Sequence, residues 1–184
     1  MATTEKSFSR EDKRPLKVLF QDEARFGRIS VPFYCWAPEG LRPIVPTQII
    51  REYTHVFSAV CPHDGESFSL VLPYADSDAM RIFLAECADY FKEYRIIMVM
   101  DKAAWHVSKN IGQYENIRIL YQPPYSPELN PVEHLWEYIR ENFLRNRIWP
   151  SMEALEIEIA SILKTIMEFT ETIRTLVKFR WAII

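Results

Sequence analysis

Residues 121–136, YQPPYSPELNPVEHLW, decide how the rest of the chain must be arranged. This stretch begins at the end of an apolar run, passes four prolines and enters an amphipathic segment. Each proline fixes its own φ near −65° and drives the preceding residue into extended geometry, so the loop holds one path. Asn130 is predicted as the N-cap of a helix, with Pro131 at the first helical position. Two interpretations of Glu133 stay open: a capping box with the backbone of Asn130, or a carboxylate aimed at a site.

Two aspartates that follow apolar runs favour the second interpretation. Asp22 follows the alternating run 16–21, and Asp101 follows the apolar run 95–100. An aspartate at the end of a buried strand is costly unless it is hydrogen-bonded, paired or bound to a metal. Because side chains alternate along a strand, Asp22 and Glu23 are predicted to point to opposite faces. Oxygen ligands without clustered Cys or His suit a hard cation such as Mg²⁺ or Mn²⁺.

Four motifs resemble those of the mariner-like bacterial insertion-sequence transposases of the DDE superfamily. They are FQDE at 20–23, WAPEG at 36–40, MDKAAWH at 100–106 and PPYSPELNPVE at 123–133. The resemblance implies an α/β, RNase H-like fold, in which helices flank a mixed β-sheet. It also implies a catalytic triad of Asp22, Asp101 and Glu133 that binds two Mg²⁺ or Mn²⁺ ions. Such enzymes cleave DNA strands and transfer them to target DNA, typically at a TA step.

The same motifs supply further candidates for DNA contact or for support of the metal ligands. Glu23, Lys102 and His106 stand close to the two aspartates in the sequence, whereas Trp36 and Asn130 belong to the other motifs. Each has a plainer interpretation that stays open. For Trp36, the favoured interpretation is a buried core position. For Asn130 the plainer interpretation is a helix cap, and for Lys102 it is a solvated side chain. A histidine such as His106 commonly orients backbone or a neighbouring carboxylate.

Two features depart from the pattern of the family. Lys102 stands where such enzymes usually carry Asn, and the 32 residues from Asp101 to Glu133 are a few fewer than usual. These departures keep two alternatives open: an inactive transposase remnant that acts as an interaction module, and another RNase H-like nuclease. The intact triad opposes the first alternative, and the proline-rich motif at 123–133 opposes the second.

The charge of the chain is unexpected for a protein that acts on DNA. The formal net charge is −3, whereas nucleic-acid binding usually shows a basic excess. Local clusters remain candidates for phosphate contact: Arg25 with Arg28, and Arg140 with Arg145 and Arg147. We expect double-stranded DNA as the partner, at element ends and target. We also expect either a homodimer or a separate DNA-binding chain that supplies the main recognition module.

Cysteine usage and hydropathy indicate the compartment. Cys35, Cys61 and Cys87 show no metal-binding spacing, which is typical of a reducing compartment. No apolar run reaches the length that a membrane span requires. We therefore expect a cytoplasmic protein without a membrane partner, acting at the bacterial nucleoid.

The remaining patterns predict one α/β domain that ends in helices. Residues 1–14 are polar and are predicted to form a flexible leader. Residues 15–184 are predicted to form a single catalytic domain, with a C-terminal helical part from about 151. Asp64-Gly65 marks a hairpin turn, in which His63 and Asp64 are predicted to be solvated. Strands are expected at 16–21, 25–30, 34–37, 54–61, 67–74, 95–100 and 117–121, and helices at 78–94, 132–145 and 151–176.

Overall fold

A five-stranded mixed β-sheet forms the centre of the molecule. The computed structural model describes residues 8–30, 32–102, 114–123, 126–179 and 182. The strands, in the spatial order β3-β2-β1-β4-β5, are β1 (Leu16–Ile29), β2 (Ile49–Val60), β3 (Ser67–Leu72), β4 (Arg95–Met100) and β5 (Ile117–Tyr121). β1, β2 and β3 pair antiparallel, whereas β1, β4 and β5 pair parallel. The predicted mixed sheet is therefore confirmed.

Helices cover both faces of this sheet. They are α1 (Ser77–Tyr90), α2 (Val132–Ile139), α3 (Met152–Glu168) and α4 (Thr170–Val177), and a π-helical segment (Arg140–Leu144) continues α2. Met80, Phe83 and Leu84 of α1 form one hydrophobic core with the inner strands. The other three helices form a second core on the opposite face, around Trp136. Within the described ranges, no helix is long and apolar enough to cross a bilayer.

β1 extends well beyond its predicted end. Its parallel pairing with β4 stops at Phe20, which lies opposite Val99, but its antiparallel pairing with β2 continues to Ile29. The predicted end at residue 21 and the predicted return strand at 25–30 are therefore wrong. The strand continues because β2 supplies hydrogen-bond partners along this whole length. As a result, Asp22 lies inside β1, just where the sheet loses its β4 neighbour.

Three other predicted elements differ from the structure. Residues 32–48 contain no strand or helix, only a turn at Glu39 and Gly40, so the strand at 34–37 is wrong. The last predicted helix is divided at Phe169, which is exposed and separates α3 from α4. The hairpin turn is present, but Asp64 is not merely solvated. It accepts a hydrogen bond of 2.8 Å from the buried Lys17.

The described part of the predicted leader packs on the domain. Phe8 is buried in the second core, and the guanidinium group of Arg118 lies 4.6 Å from the centre of its ring. Arg14 pairs with Asp12 at 2.8 Å and donates a hydrogen bond to the carbonyl of Lys92. Residues 8–14 thus extend the domain in the N-terminal direction. Residues 1–7 lie outside the described residues.

Candidate active site

Asp22 is held on the face of the sheet that carries α2. Its strand neighbours on that face, Phe20 and Ala24, belong to the same core as Trp136. The indole Nε1–H of Trp136 donates a hydrogen bond of 2.9 Å to Oδ2 of Asp22. The hydrogen bond between Trp136 and Asp22 is not among the expectations from the sequence. The one signal for it is the spacing of Trp136, one helical turn after Glu133.

The carboxyl group of Asp22 lies in surroundings that oppose its charge. Burial raises the pKa of Asp22 to about 7, although the hydrogen bond from Trp136 acts in the opposite direction. The negative charges of Glu133 and Glu23 raise this pKa further. Glu133 and Glu23 therefore bring further negative charge close to this carboxyl group.

Asp101 follows directly after β4, the strand parallel to β1. Val99 lies opposite Phe20 in the last pair of these strands, and Asp101 follows Val99 by two residues, as Asp22 follows Phe20. Asp101 and Lys102 are both exposed at this edge of the sheet. The predicted place of Asp101 at the carboxyl end of a buried strand is confirmed.

The proline-rich loop is attached at both ends to the strands that carry the aspartates. The backbone N–H of Gln122 donates to the carbonyl of Met100 at 2.8 Å, next to Asp101. The buried side chain of Asn130 donates to the carbonyl of Gln21 at 3.0 Å, next to Asp22. These two hydrogen bonds fix the point at which α2 begins, and so fix where its first turn lies.

The structure contradicts the capping-box interpretation of Glu133. Its side chain is exposed and has no hydrogen-bond partner among the described residues, although its N–H donates to the carbonyl of Asn130. Helix α2 begins at Val132, and its N-cap position is Pro131 rather than the predicted Asn130. The side chain of Asn130 still accepts a hydrogen bond of 3.2 Å from the N–H of Val132. The carboxylate of Glu133 therefore does not cap the start of α2.

The remaining candidates lie in different surroundings. Glu23 is half-buried on β1 and acts electrostatically on Asp22. Trp36 is fully exposed in the connection between β1 and β2, so the favoured interpretation of a buried core residue is wrong. Asn130 supports the loop, as described above. His106 lies outside the described residues.

The chemistry of this edge fits a hard divalent cation. The candidate ligands Asp22, Asp101 and Glu133 carry carboxylate oxygens, the ligand type that Mg²⁺ and Mn²⁺ prefer. Burial, and then the charges of Glu133 and Glu23, raise the pKa of Asp22, so a nearby cation would favour its ionised form. In the part of the chain that the structure describes, no three acidic, histidine or cysteine side chains are already gathered into a metal-holding group.

Comparisons with known proteins agree with the fold and the motifs. Residues 17–156 match the sequence model of the DDE superfamily endonuclease family, and the chain belongs to that family. An uncharacterized protein of Sinorhizobium fredii, y4pE/y4sA, is 42% identical over 98 residues, which are 53% of this chain and 73% of that protein. The Tc3 transposase of Caenorhabditis elegans is 27% identical over 165 residues, which are 82% of this chain and 49% of the transposase.

A solved structure shares the architecture. The crystal structure of the Mos1 mariner paired end complex with Mn superposes with a TM-score of 0.62 at 14% identity, over 88% of this chain and 54% of that chain. This likeness confirms the expected RNase H-like fold. The chain spans about half the length of the Tc3 and Mos1 transposases.

Proposed function

We propose that this chain is the catalytic domain of a transposase that cleaves DNA strands and transfers them in a metal-dependent reaction. Asp22, Asp101 and Glu133 are its catalytic carboxylates. The observation that carries the proposal is the crowding of acidic groups at one edge of the sheet, where burial and neighbouring charges raise the pKa of Asp22 to about 7. Membership of the DDE superfamily endonuclease family supports this assignment.

The three carboxylates would hold two Mg²⁺ or Mn²⁺ ions. A two-metal site supplies an activated oxygen nucleophile and stabilises the oxygen that leaves the phosphodiester. The residues around the carboxylates hold them in place. Trp136 orients Asp22 through its indole N–H, and Asn130 ties the start of α2 to β1. Lys102, exposed beside Asp101, would meet a phosphate of the substrate.

We infer that the substrate is double-stranded DNA, at the ends of a mobile element and at a target with a TA step. Complexes with transposon ends are described for the structurally similar Mos1 transposase, and such a substrate fits the chemistry proposed here. A homodimer partner or a separate DNA-binding chain would supply sequence recognition, because the net charge of −3 gives this chain no overall basic excess for it.

One observation favours a second candidate function, an inactive domain that serves as an interaction module. Among the described residues, no three potential ligands are gathered into a metal-holding group. The two functions differ in one cheap measurement: an inactive domain would neither bind Mn²⁺ nor nick DNA.

Nicking of supercoiled plasmid DNA in Mn²⁺ tests the catalytic proposal. Glu133→Gln keeps the shape of an exposed side chain that makes no hydrogen bond among the described residues, so the variant should fold as the wild type does. We expect nicking to fall about 100-fold or more, because a charge that stabilises the reaction is lost. Glu128→Gln is the matched control, since Glu128 is an exposed carboxylate of the same loop. It should nick within about twofold of the wild type. Nicking by Glu133→Gln at the wild-type rate would remove Glu133 from the site.

A further inference from the structure

A groove at the far end of β1 gathers the arginines that the sequence shows in two separate clusters. It has a volume of about 360 Å³, and it is lined by the end of β1, the π-helical segment and residues 145–149. We call it the arginine groove. Glu141 and five arginines line it. The arginines are Arg25, Arg28, Arg140, Arg145 and Arg147.

Two of these arginines form ion pairs within the fold. Arg28 pairs with Glu52 at 2.6 Å and donates a hydrogen bond to the carbonyl of Trp149. Arg147 pairs with Glu158 at 2.5 Å. Their charges are therefore neutralised within the molecule.

The other three arginines form no ion pair with a described residue. Arg25, Arg140 and Arg145 are exposed, and none has a carboxylate partner among the described residues. In the described ranges, their guanidinium groups lie over aromatic rings instead. The guanidinium carbons lie 4.4, 5.2 and 5.5 Å from the ring centroids of Tyr53, Phe26 and Phe33, respectively. Three free positive charges against Glu141 make the groove basic, in a chain whose net charge is −3.

The arginine groove adjoins the candidate catalytic carboxylates. Arg140 follows Glu133 by seven residues along one continuous helical segment, about 10 Å and two turns further on the same side. Trp136 joins the two sites, because it donates to Asp22 and its ring contacts that of Phe26 at 6.0 Å between centroids. A strand that lies on the carboxylates can therefore continue into the groove along the exposed side of α2.

The wall of the groove is held in place before any ligand arrives. Asn146 has a left-handed backbone with φ of 56°, a conformation that asparagine tolerates better than most residues. Its side chain accepts from the N–H of Phe33 at 2.8 Å and donates to the carbonyl of Phe33 at 3.1 Å. Gln48 makes a similar pair of hydrogen bonds with the backbone of Trp149. The groove is thus preorganised.

We propose that the arginine groove holds the sugar–phosphate backbone of an unpaired DNA strand beside the candidate active site, an inference that rests on the proposed function. Guanidinium groups match phosphate geometry and bind it with charge-assisted hydrogen bonds. The volume lies at the lower end of the range for ligand sites, which suits a segment of one strand rather than a duplex. The half-exposed ring of Phe33 offers a surface on which a base stacks.

The test compares two variants with the same change in charge. One carries Arg25→Gln, Arg140→Gln and Arg145→Gln. The control carries Arg10→Gln, Lys92→Gln and Lys164→Gln, three exposed residues that do not line the groove. The probe is a fluorescein-labelled single DNA strand of about 15 nucleotides, a length within known site sizes. Binding is followed by fluorescence anisotropy over a salt series in EDTA, with the full chain.

We expect the groove variant to bind the strand about tenfold more weakly or worse. Its slope of log K against log salt should fall by about 2, since three phosphate contacts are lost at about 0.7 each. The control should stay within about twofold of the wild type. If the triple variant does not fold, the three single Gln variants replace it, each expected to lose about two- to threefold.

Several outcomes would overturn the inference: equal weakening of both variants, no binding by the wild type, or tighter binding of the matching duplex or RNA strand. The binding measured in EDTA is independent of the chemistry. If the wild type binds through the groove but never nicks DNA, the proposed function is contradicted and the groove inference is not. If the wild type nicks DNA while the groove variant binds as the control does, the groove inference is contradicted and the proposed function is not.

Discussion

The protonation of Asp22 reflects its surroundings in the candidate site and affects the stability of the fold. Its carboxyl group is bound by Trp136, yet burial and the charges of Glu133 and Glu23 favour the protonated form. A group whose pKa is about 7 in the folded chain and about 3.9 in the unfolded chain binds more protons when folded. Stability therefore decreases as the pH rises from about 4 to about 7, and it stays reduced above that range.

We expect Asp22→Asn to raise the melting temperature at pH 8 in EDTA. Asparagine carries no charge to desolvate, and its carbonyl oxygen still accepts the hydrogen bond from Trp136. At about pH 4 the gain should vanish, since Asp22 is then protonated in the folded wild type. Thermal unfolding by circular dichroism at both pH values measures this difference.

The control for this prediction is Asp89→Asn, on the exposed side of α1. It should leave the melting temperature nearly unchanged at both pH values. An Asp22→Asn variant that melts below the wild type at pH 8 would show that the charge of Asp22 is compensated in the folded chain.

At the residue scale, the sequence predicted where a residue lies in the sheet better than it predicted which residue forms a hydrogen bond with it. The face of Asp22 follows from strand alternation, and the place of Asp101 follows from the apolar run before it. The hydrogen bond from Trp136 joins residues 114 positions apart, and no local pattern contains it. The exposure of Trp36 was missed for a related reason, because burial depends on what packs around a loop and not on residue type alone.

At the scale of elements, the proline-rich loop acts through the two hydrogen bonds that attach it to the sheet. Asn130 makes two of the contacts described above, one with the carbonyl of Gln21 and one with the N–H of Val132. Both are buried, so removing the side chain leaves two backbone groups without partners.

We expect Asn130→Ala to lower the free energy of unfolding by about 1–3 kcal/mol, the usual range for a lost cap and an unsatisfied buried group. Urea denaturation measures this loss. Asn130→Asp should recover part of it, because it keeps the acceptor for the N–H of Val132. Asn142→Ala removes an exposed hydrogen bond to the carbonyl of Tyr138 and should cost about 0.5 kcal/mol or less. Equal losses for Asn130→Ala and Asn142→Ala would mean that the loop is not anchored by Asn130.

Element boundaries were the least predictable part of the fold. The alternating run 16–21 predicts a strand that ends before Asp22, but β2 pairs with β1 well beyond that residue. The apolar pattern predicts one helix over 151–176, whereas the chain breaks at Phe169. In both cases, a long-range contact or a local break overrides a periodic pattern.

At the scale of the whole molecule, the layered α/β arrangement was predictable because apolar runs alternate with one strongly amphipathic helix between them. The two arginine clusters were visible in the sequence, but their union was not. It requires β1 to extend to Ile29, and it requires the π-helical segment that starts at Arg140, together with Arg145 just after it, to lie beside that end of the strand.

Divalent metal binding should stabilise the whole chain. A ligand that binds only the folded state raises its stability by about 2.7 kcal/mol at 100 times its dissociation constant. We therefore expect Mn²⁺ to raise the melting temperature of the wild type by several degrees, and to leave that of Asp101→Asn nearly unchanged. Sodium chloride at equal ionic strength is the control. A rise of the same size in both proteins would place Mn²⁺ elsewhere than at Asp101.

The arginine groove gives the chain an uneven distribution of charge. Three guanidinium groups without carboxylate partners among the described residues lie together at one end of β1, whereas the net charge of the whole chain is −3. The field of a polyanion orients such a molecule before contact. If the groove binds DNA as proposed, a chain that an anion-exchange resin retains at neutral pH should be retained by heparin as well.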